Sequence, residues 1–206
     1  MKGFGIFTKR WVLRVKPIGQ ISVLEGLLID IVVWRLATED WGLMIVIMMG
    51  VSGSGKTTIG KPLAESLGWM FFEGDDLHPH ANVTKMAKGI PLSDNDRQPW
   101  LNAIRKLIKQ LVNKDESAVI ACSALKKVYR DLLEQDNEEV YFVYLKGDYE
   151  LIRQRLEERP GHFMKADLLS SQIAALQEPE VAITVEISRD PEEIVRSIQE
   201  EVQKMR

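Results

Sequence analysis

The chain has 206 residues, 45% of them hydrophobic, with 27 Lys and Arg against 30 Asp and Glu and a formal charge of −3. That length buries one core of ordinary size and leaves no comfortable room for two enzyme domains, and the near balance of charge excludes bulk attraction to nucleic acid or an anionic membrane. The single cysteine, Cys122, excludes an internal disulfide and fits a reducing, cytoplasmic compartment; beside Ala118-Val119-Ile120-Ala121 it reads as a small buried hydrophobe and not as a nucleophile.

Residues 1–43 carry Lys2, Lys9, Arg10, Arg14 and Lys16 ahead of an apolar stretch from Ile21 to Trp34, an order that mimics a signal peptide. Glu25 and Asp30 interrupt that stretch, it is short for a bilayer span, and no small-residue cleavage site follows it, so membrane insertion is rejected. Two readings remain: an amphipathic or disordered extension, or a non-native start with Met44 as the natural first residue. The second is preferred, because the complete pattern described next begins at Met44, and it divides the chain into an extension, 1–43, and one domain, 44–206.

From Met44 onward short apolar, β-branched runs alternate with segments of helical periodicity, the pattern of a parallel sheet covered by helices on both faces. Strands are expected at Ile45 to Met49, Trp69 to Glu73, Ala118 to Cys122, Val140 to Leu145 and Val181 to Ile187. Helices are expected from Lys56 to about Ser66, from about Trp100 to Val112, from Lys126 to Gln135, from Asp148 to Glu158, from Leu168 to Leu176 and from Pro191 onward. Gly68 suits a left-handed cap for the first helix. Between His78 and Pro99 the breakers Pro79, Gly89, Pro91 and Pro99 predict loops and short helices, the kind of section that shapes a substrate pocket. The resulting fold class is a three-layer α/β domain with a five-stranded parallel sheet.

Gly50-Val51-Ser52-Gly53-Ser54-Gly55-Lys56-Thr57 fills every fixed position of the P-loop pattern and lies between a predicted strand and a predicted helix, the context that gives the pattern meaning. Glycines let backbone N–H groups turn inward around phosphates, and the following helix N-terminus adds positive potential. Residues Gly50 to Thr58 are therefore the candidate ATP site. Lys56 is assigned to the β- and γ-phosphates and Thr57 to the Mg²⁺ that bridges them. A guanine-specific switch is disfavoured: Asn113-Lys114-Asp115-Glu116 fails the last position of N-K-x-D and precedes a strand instead of following one.

Phe72-Glu73-Gly74-Asp75-Asp76-Leu77-His78-Pro79 places acids at the carboxyl end of the second strand, where open α/β sheets bind ligands and where a strand adjoining the first would face the γ-phosphate. Transfer of a phosphoryl group to an alcohol needs a carboxylate that takes the hydroxyl proton, and Asp75 is the candidate. If the strand continues, Glu73 shares the face of Asp75 and is placed to bind a Mg²⁺ water, while Asp76 points away. The competing account makes these acids a helix N-cap and solvated loop charges.

The sequence then resembles the bacterial gluconokinases in order and spacing. The P-loop is followed by Glu73 to Pro79, Asn82, Lys85-Met86 and Gly89-Ile90-Pro91-Leu92. Next come Asp94 to Leu101, Ala121 to Lys126, Tyr129-Arg130-Asp131, Gly161-His162-Phe163-Met164 and Leu168 to Gln172. The resemblance covers Met44 to the C-terminus. It implies a fold like shikimate kinase and adenylate kinase and ATP-dependent phosphorylation of D-gluconate to 6-phospho-D-gluconate, feeding central carbohydrate metabolism. It also implies a homodimeric cytoplasmic enzyme with no nucleic-acid or membrane partner.

Within that resemblance Arg97 is the candidate anchor for the gluconate carboxylate, since a guanidinium fork matches two carboxylate oxygens, with a surface salt bridge to Asp94 or Asp96 as the alternative. His78, Asn82 and Lys85 are placed to hydrogen-bond sugar hydroxyls or to serve as structural loop residues. Ser123 is a substrate contact or the cap of the next helix, Lys126 contacts substrate or phosphate, and His162 joins the substrate side. No Asp ends the third strand, so the metal is assigned to Thr57 and Glu73. Arg155 and Arg159 lie one helical turn apart before Pro160-Gly161-His162 and fit a lid closing over ATP, with Arg155 stabilising the moving phosphoryl group; for Arg159 compensation of the helix dipole is an equal account. Other readings are a kinase for another polyol acid or a nucleoside monophosphate, and a non-catalytic ATP-binding regulator.

Overall fold

The computed structural model describes residues 42–158 and 166–205. Arg159, His162 and the predicted interruption from Pro160 to Lys165 lie outside the described residues, as do residues 1–41 of the expected extension. The second of the chain's two units, Trp41–Arg206, carries the fold. Its strands are β1 (Ile45–Met49), β2 (Met70–Glu73), β3 (Ala118–Ala121), β4 (Val140–Lys146) and β5 (Ile183–Glu186). Its helices are α1 (Lys56–Leu67), α2 (His80–Ala87), α3 (Asp94–Lys114), α4 (Lys127–Glu134), α5 (Tyr149–Glu157), α6 (Ala166–Ala175) and α7 (Pro191–Lys204).

The five strands are all parallel in the order β2-β3-β1-β4-β5. β1 lies at the centre, with Ile45 beside both Ala118 and Val140, and every one of its side chains is buried. Burial on both faces explains why its sequence reads as an unbroken apolar run. Val46 and Met48 face a core made with Ile59 and Leu63 of α1 and Ile194 and Ile198 of α7. Ile45, Ile47 and Met49 face a second core made with Trp100, Ile104 and Ile108 of α3 and Leu133 of α4. Helices thus cover both faces, giving the three layers that alternation predicts.

Chain order leaves β1 for β2, returns to β3 beside β1, and then crosses to β4 on the other side. That reversal opens a crevice at the carboxyl end of β1, the position at which open α/β sheets hold ligands. α1 begins there and ends on Gly68, left-handed at φ 69°, whose N–H returns to the carbonyls of Ala64 and Glu65.

Two expectations are corrected. The helix expected from Trp100 starts at Asp94, because Ser93 and Asp96 form a capping box: the Ser93 hydroxyl accepts from the Asp96 N–H, and the Asp96 carboxylate accepts from the Ser93 N–H. Pro99 is carried inside the helix; it is exposed, as is Asn95 four residues earlier, so water can take the carbonyl left without its amide. The second correction is topological. β2 pairs with β3 and does not adjoin β1, and the chain leaves β2 after Glu73 in a 3₁₀ turn, Gly74–Leu77. Glu73 and Asp75 therefore do not share a strand face.

Candidate active site

Gly53 and Gly55 take φ 82° and 94° as the chain turns from β1 into α1, a region that L side chains rarely occupy. A Cβ on Gly53 would in addition meet Leu156 Cγ at 2.8 Å, so α5 packs directly on the bare loop. Lys56 Nζ donates to the carbonyls of Gly50 at 3.1 Å and Val51 at 2.9 Å, which folds its side chain back over the loop. The Gly50 N–H donates to the Ser123 carbonyl at 3.3 Å and ties the loop to the end of β3.

This loop floors a cleft of about 560 Å³, within the range of small-molecule sites. Ser52 to Ile59, including Thr58, line it together with Glu73, Asp75, Arg155, Ile187, Arg189, Pro191 and Ile194. Arg155 Nη2 donates to the Ile187 carbonyl at 2.8 Å, which holds the guanidinium of α5 against the segment after β5. Gly50 and Val51 lie beneath the lining residues, Val51 being buried.

The Thr57 hydroxyl donates to Glu73 Oε2 at 2.6 Å, so two oxygen donors converge where the loop meets the end of β2. Hard oxygen donors of this kind suit Mg²⁺, which takes one or two protein oxygens and completes its shell with phosphate and water. Among the described residues there is no cluster of three or more His, Cys, Asp or Glu able to hold a metal by itself.

A smaller chamber of about 80 Å³ adjoins the cleft and shares Ser52, Lys56 and Asp75 with it. His78, Arg97, Trp100, Ser123 and Gln172 are among its walls. The ring of His78 stacks on Trp100, centroids 4.3 Å apart and planes 13° apart, and Trp100 Nε1 donates to the Gly74 carbonyl at 2.7 Å. Gly74 itself is pressed against β3: a Cβ there would stand 2.3 Å from the Ala121 carbonyl oxygen. Trp100 and Gly74 together fix the 3₁₀ turn that carries Asp75, whose side chain stays 67% exposed where the two chambers meet.

Burial pushes the His78 imidazole below its ordinary value; Asp75 opposes that shift and Arg97 adds to it, so the ring is neutral near pH 7. Arg97 Nη1 donates to the Leu92 carbonyl at 2.5 Å and stands 3.9 Å from Asp94, so the alternative salt bridge is a loose contact and the guanidinium also faces the chamber.

Lys85 and Lys126 are both paired with acids in the first turn of α3. Lys85 Nζ sits 2.6 Å from Asp96 and holds that carboxyl down at about 2, while Lys126 Nζ sits 2.7 Å from Asp94 and holds it below the usual range with help from the Tyr129 hydroxyl. Neither lysine is among the residues lining the two chambers; each fastens the first turn of α3, and with it Arg97, to a neighbouring helix. Ser123 does not cap α4, whose cap position is Lys126 with no side-chain bond; it lines the chamber. Cys122 is fully buried and its thiol is pushed up to about 12 by that burial, which makes it inert.

Several lining residues carry no signal in the sequence. Ile187, Arg189, Pro191 and Ile194 reach the cleft only because β5 lies two places from β1 in the sheet. Gln172 of α6, in the Leu168 to Gln172 run of the resemblance but assigned no role there, reaches the loop itself: its Oε1 accepts the Ser52 N–H at 2.7 Å across 120 residues of sequence.

Comparison with known proteins adds independent findings. Residues 52–203 match the family model described as shikimate kinase. The chain is 49% identical over 150 residues to the thermosensitive gluconokinase of Escherichia coli (strain K12), covering 73% of this chain and 76% of that protein. It is 43% identical to the thermoresistant gluconokinase of the same organism, covering 82% of this chain and 99% of the relative. Its fold matches the crystal structure of a gluconokinase from Sinorhizobium meliloti 1021 with a TM-score of 0.72 at 40% identity, over 80% of this chain and 94% of that one.

Proposed function

The chain belongs to the shikimate kinase family and stands among its gluconokinases, and from that premise we propose that it transfers the γ-phosphoryl group of ATP to the 6-hydroxyl of D-gluconate. The observation that carries this reading is the place of Asp75: it lines both chambers, so a carboxylate stands where a donor phosphate and an acceptor hydroxyl would meet.

ATP occupies the larger cleft in this reading, its phosphates on residues Gly50 to Thr58 and its base toward Arg189 and Pro191. Lys56 leaves the loop carbonyls for the β- and γ-phosphates, and Thr57 and Glu73 would hold Mg²⁺, which would screen phosphate charge. Gluconate occupies the smaller chamber, with its carboxylate on Arg97 and hydroxyls within reach of His78 and Ser123. Asp75 orients the acceptor hydroxyl and takes its proton as the bond to phosphorus forms. Arg155 compensates charge on the transferred group, and the resemblance alone assigns His162 to the substrate. Little covalent chemistry is asked of the protein, so rate comes from alignment and charge.

Residues 44–206 form the catalytic domain in this proposal. The enzyme is a homodimer, a reading supported by the resemblance, and cytoplasmic, a reading supported by the resemblance and the lone buried cysteine; among the described residues no helix is long and apolar enough to cross a membrane. The test is ADP formation from Mg·ATP with D-gluconate, shikimate, glycerate and AMP offered separately. Stimulation by gluconate alone is expected. Stimulation by a different acceptor overturns the substrate, and none by any acceptor overturns the kinase reading.

A further inference from the structure

His78 is held on three sides. Its ring stacks on Trp100, its side chain is only 4% exposed, and its two nitrogens face different groups: Nδ1 lies 3.4 Å from Asn82 Nδ2 and Nε2 lies 4.0 Å from Asp75 Oδ1. Asn82, itself 3% exposed, is the side chain set against Nδ1. Its Nδ2 donates to the Asp96 backbone carbonyl at 2.7 Å. A carbonyl accepts and cannot donate, so the amide nitrogen must face it; a flipped amide would set oxygen against oxygen. The second hydrogen on that nitrogen points at His78 Nδ1, which must then accept.

We propose that Asn82 fixes His78 as the neutral Nε2–H tautomer, so that Nε2 donates to the acceptor hydroxyl that Asp75 takes up from its other side. Nε2 and Asp75 Oδ1 are too far apart at 4.0 Å to bond each other, but one hydroxyl oxygen can reach both. That oxygen has four directions: the bond to carbon, the O–H directed to Asp75, one lone pair receiving the His78 N–H, and one lone pair left over. With three assigned, the fourth is aimed, and in the proposed reaction it is aimed at phosphorus. Asn82 thus acts as a positioning residue through His78, and the idea rests on the acceptor lying in the smaller chamber. The charged groups facing the ring are Asp75 from its own turn and Arg97 from α3.

The first test needs no substrate. Long-range proton–nitrogen spectra of the unliganded full chain at pH 7.5, with the His78 signals identified by their loss in His78→Gln, are expected to show Nδ1 bare and Nε2 protonated. A proton on Nδ1, or on both nitrogens, overturns the proposal whatever the acceptor is. Asn82→Ala is then expected to give mixed tautomers and to raise the KM for gluconate about tenfold, roughly 1.4 kcal/mol, with the KM for ATP unchanged. An unchanged tautomer or an unchanged gluconate KM in the folded variant overturns it as well. Should Asn82→Ala not fold, the wild-type spectrum decides. Should another acceptor prove to be the substrate, the KM is measured for that one and the spectrum stands unaltered.

Discussion

The two ends of the cleft are built on different principles. The phosphate end is one continuous stretch, Gly50 to Thr58, whose donors are largely backbone amides shaped by glycine and anchored on the central strand. The proposed acceptor end is assembled from the turn after β2, from α2 and α3, from the end of β3 and from α6, and its polar side chains are already engaged, His78 with Asn82 and Trp100 and Arg97 with the Leu92 carbonyl, while Lys85 on Asp96 and Lys126 on Asp94 brace the first turn of α3 beside it. A backbone site tolerates little change in shape but asks little of neighbouring side chains. A side-chain site can be retuned for a new acceptor one residue at a time, which is how one fold hosts kinases for different small molecules.

The sharpest way to test that contrast is at the junction. Asp75→Asn is expected to keep ATP binding and to lose about 10²-fold or more of turnover, measured as kcat with saturating acceptor; near-normal turnover would mean that the two ends meet at some other group. Gly74→Ala comes next. Its Cβ would press on the Ala121 carbonyl from 2.3 Å, and a loss of about 1 to 3 kcal/mol is expected for such overpacking, read from denaturant midpoints. An unchanged midpoint would show that the turn can leave β3, and that the acceptor end is less firmly seated than its contacts imply.

Arg97→Lys separates the ends kinetically. A lysine keeps the charge but loses the fork, so the KM for gluconate should rise about tenfold while the KM for ATP stays within a factor of about two. Equal effects on both would erase the division. The smallest effect concerns pH. His78 titrates below its ordinary 6.5 because burial disfavours its charged form, so the unfolded chain binds a proton that the folded chain refuses. Its contribution is complete above 6.5 and is lost as pH falls through that value toward the folded one. Between pH 7.5 and 5.5 the melting temperature of the wild type should fall further than that of His78→Gln.

Local sequence was enough wherever a structural element satisfies itself within a few residues. The run Ile45 to Met49 had to be a strand buried on both faces, the glycines of the P-loop had to turn the chain, and Gly68 had to end the helix that follows; period and φ preference require no distant partner. The parallel sheet followed from alternation. Even local signals can compete, and at α3 the capping box of Ser93 and Asp96 outweighed Pro99 as a marker of the helix start.

What only the tertiary structure decided is everything that depends on strand order and on side chains far apart in sequence. β3 lies between β1 and β2, so Glu73 meets Thr57 across an intervening strand edge and not along a shared strand face. Gln172 reaches Ser52, Arg189 and Pro191 line the cleft, and Lys85 and Lys126 pair with Asp96 and Asp94. Composition and spacing specify which groups are present; which of them pair with each other and which are left facing a cleft is settled by packing, because ion pairs and hydrogen bonds form only between groups that the folded core has already brought within reach.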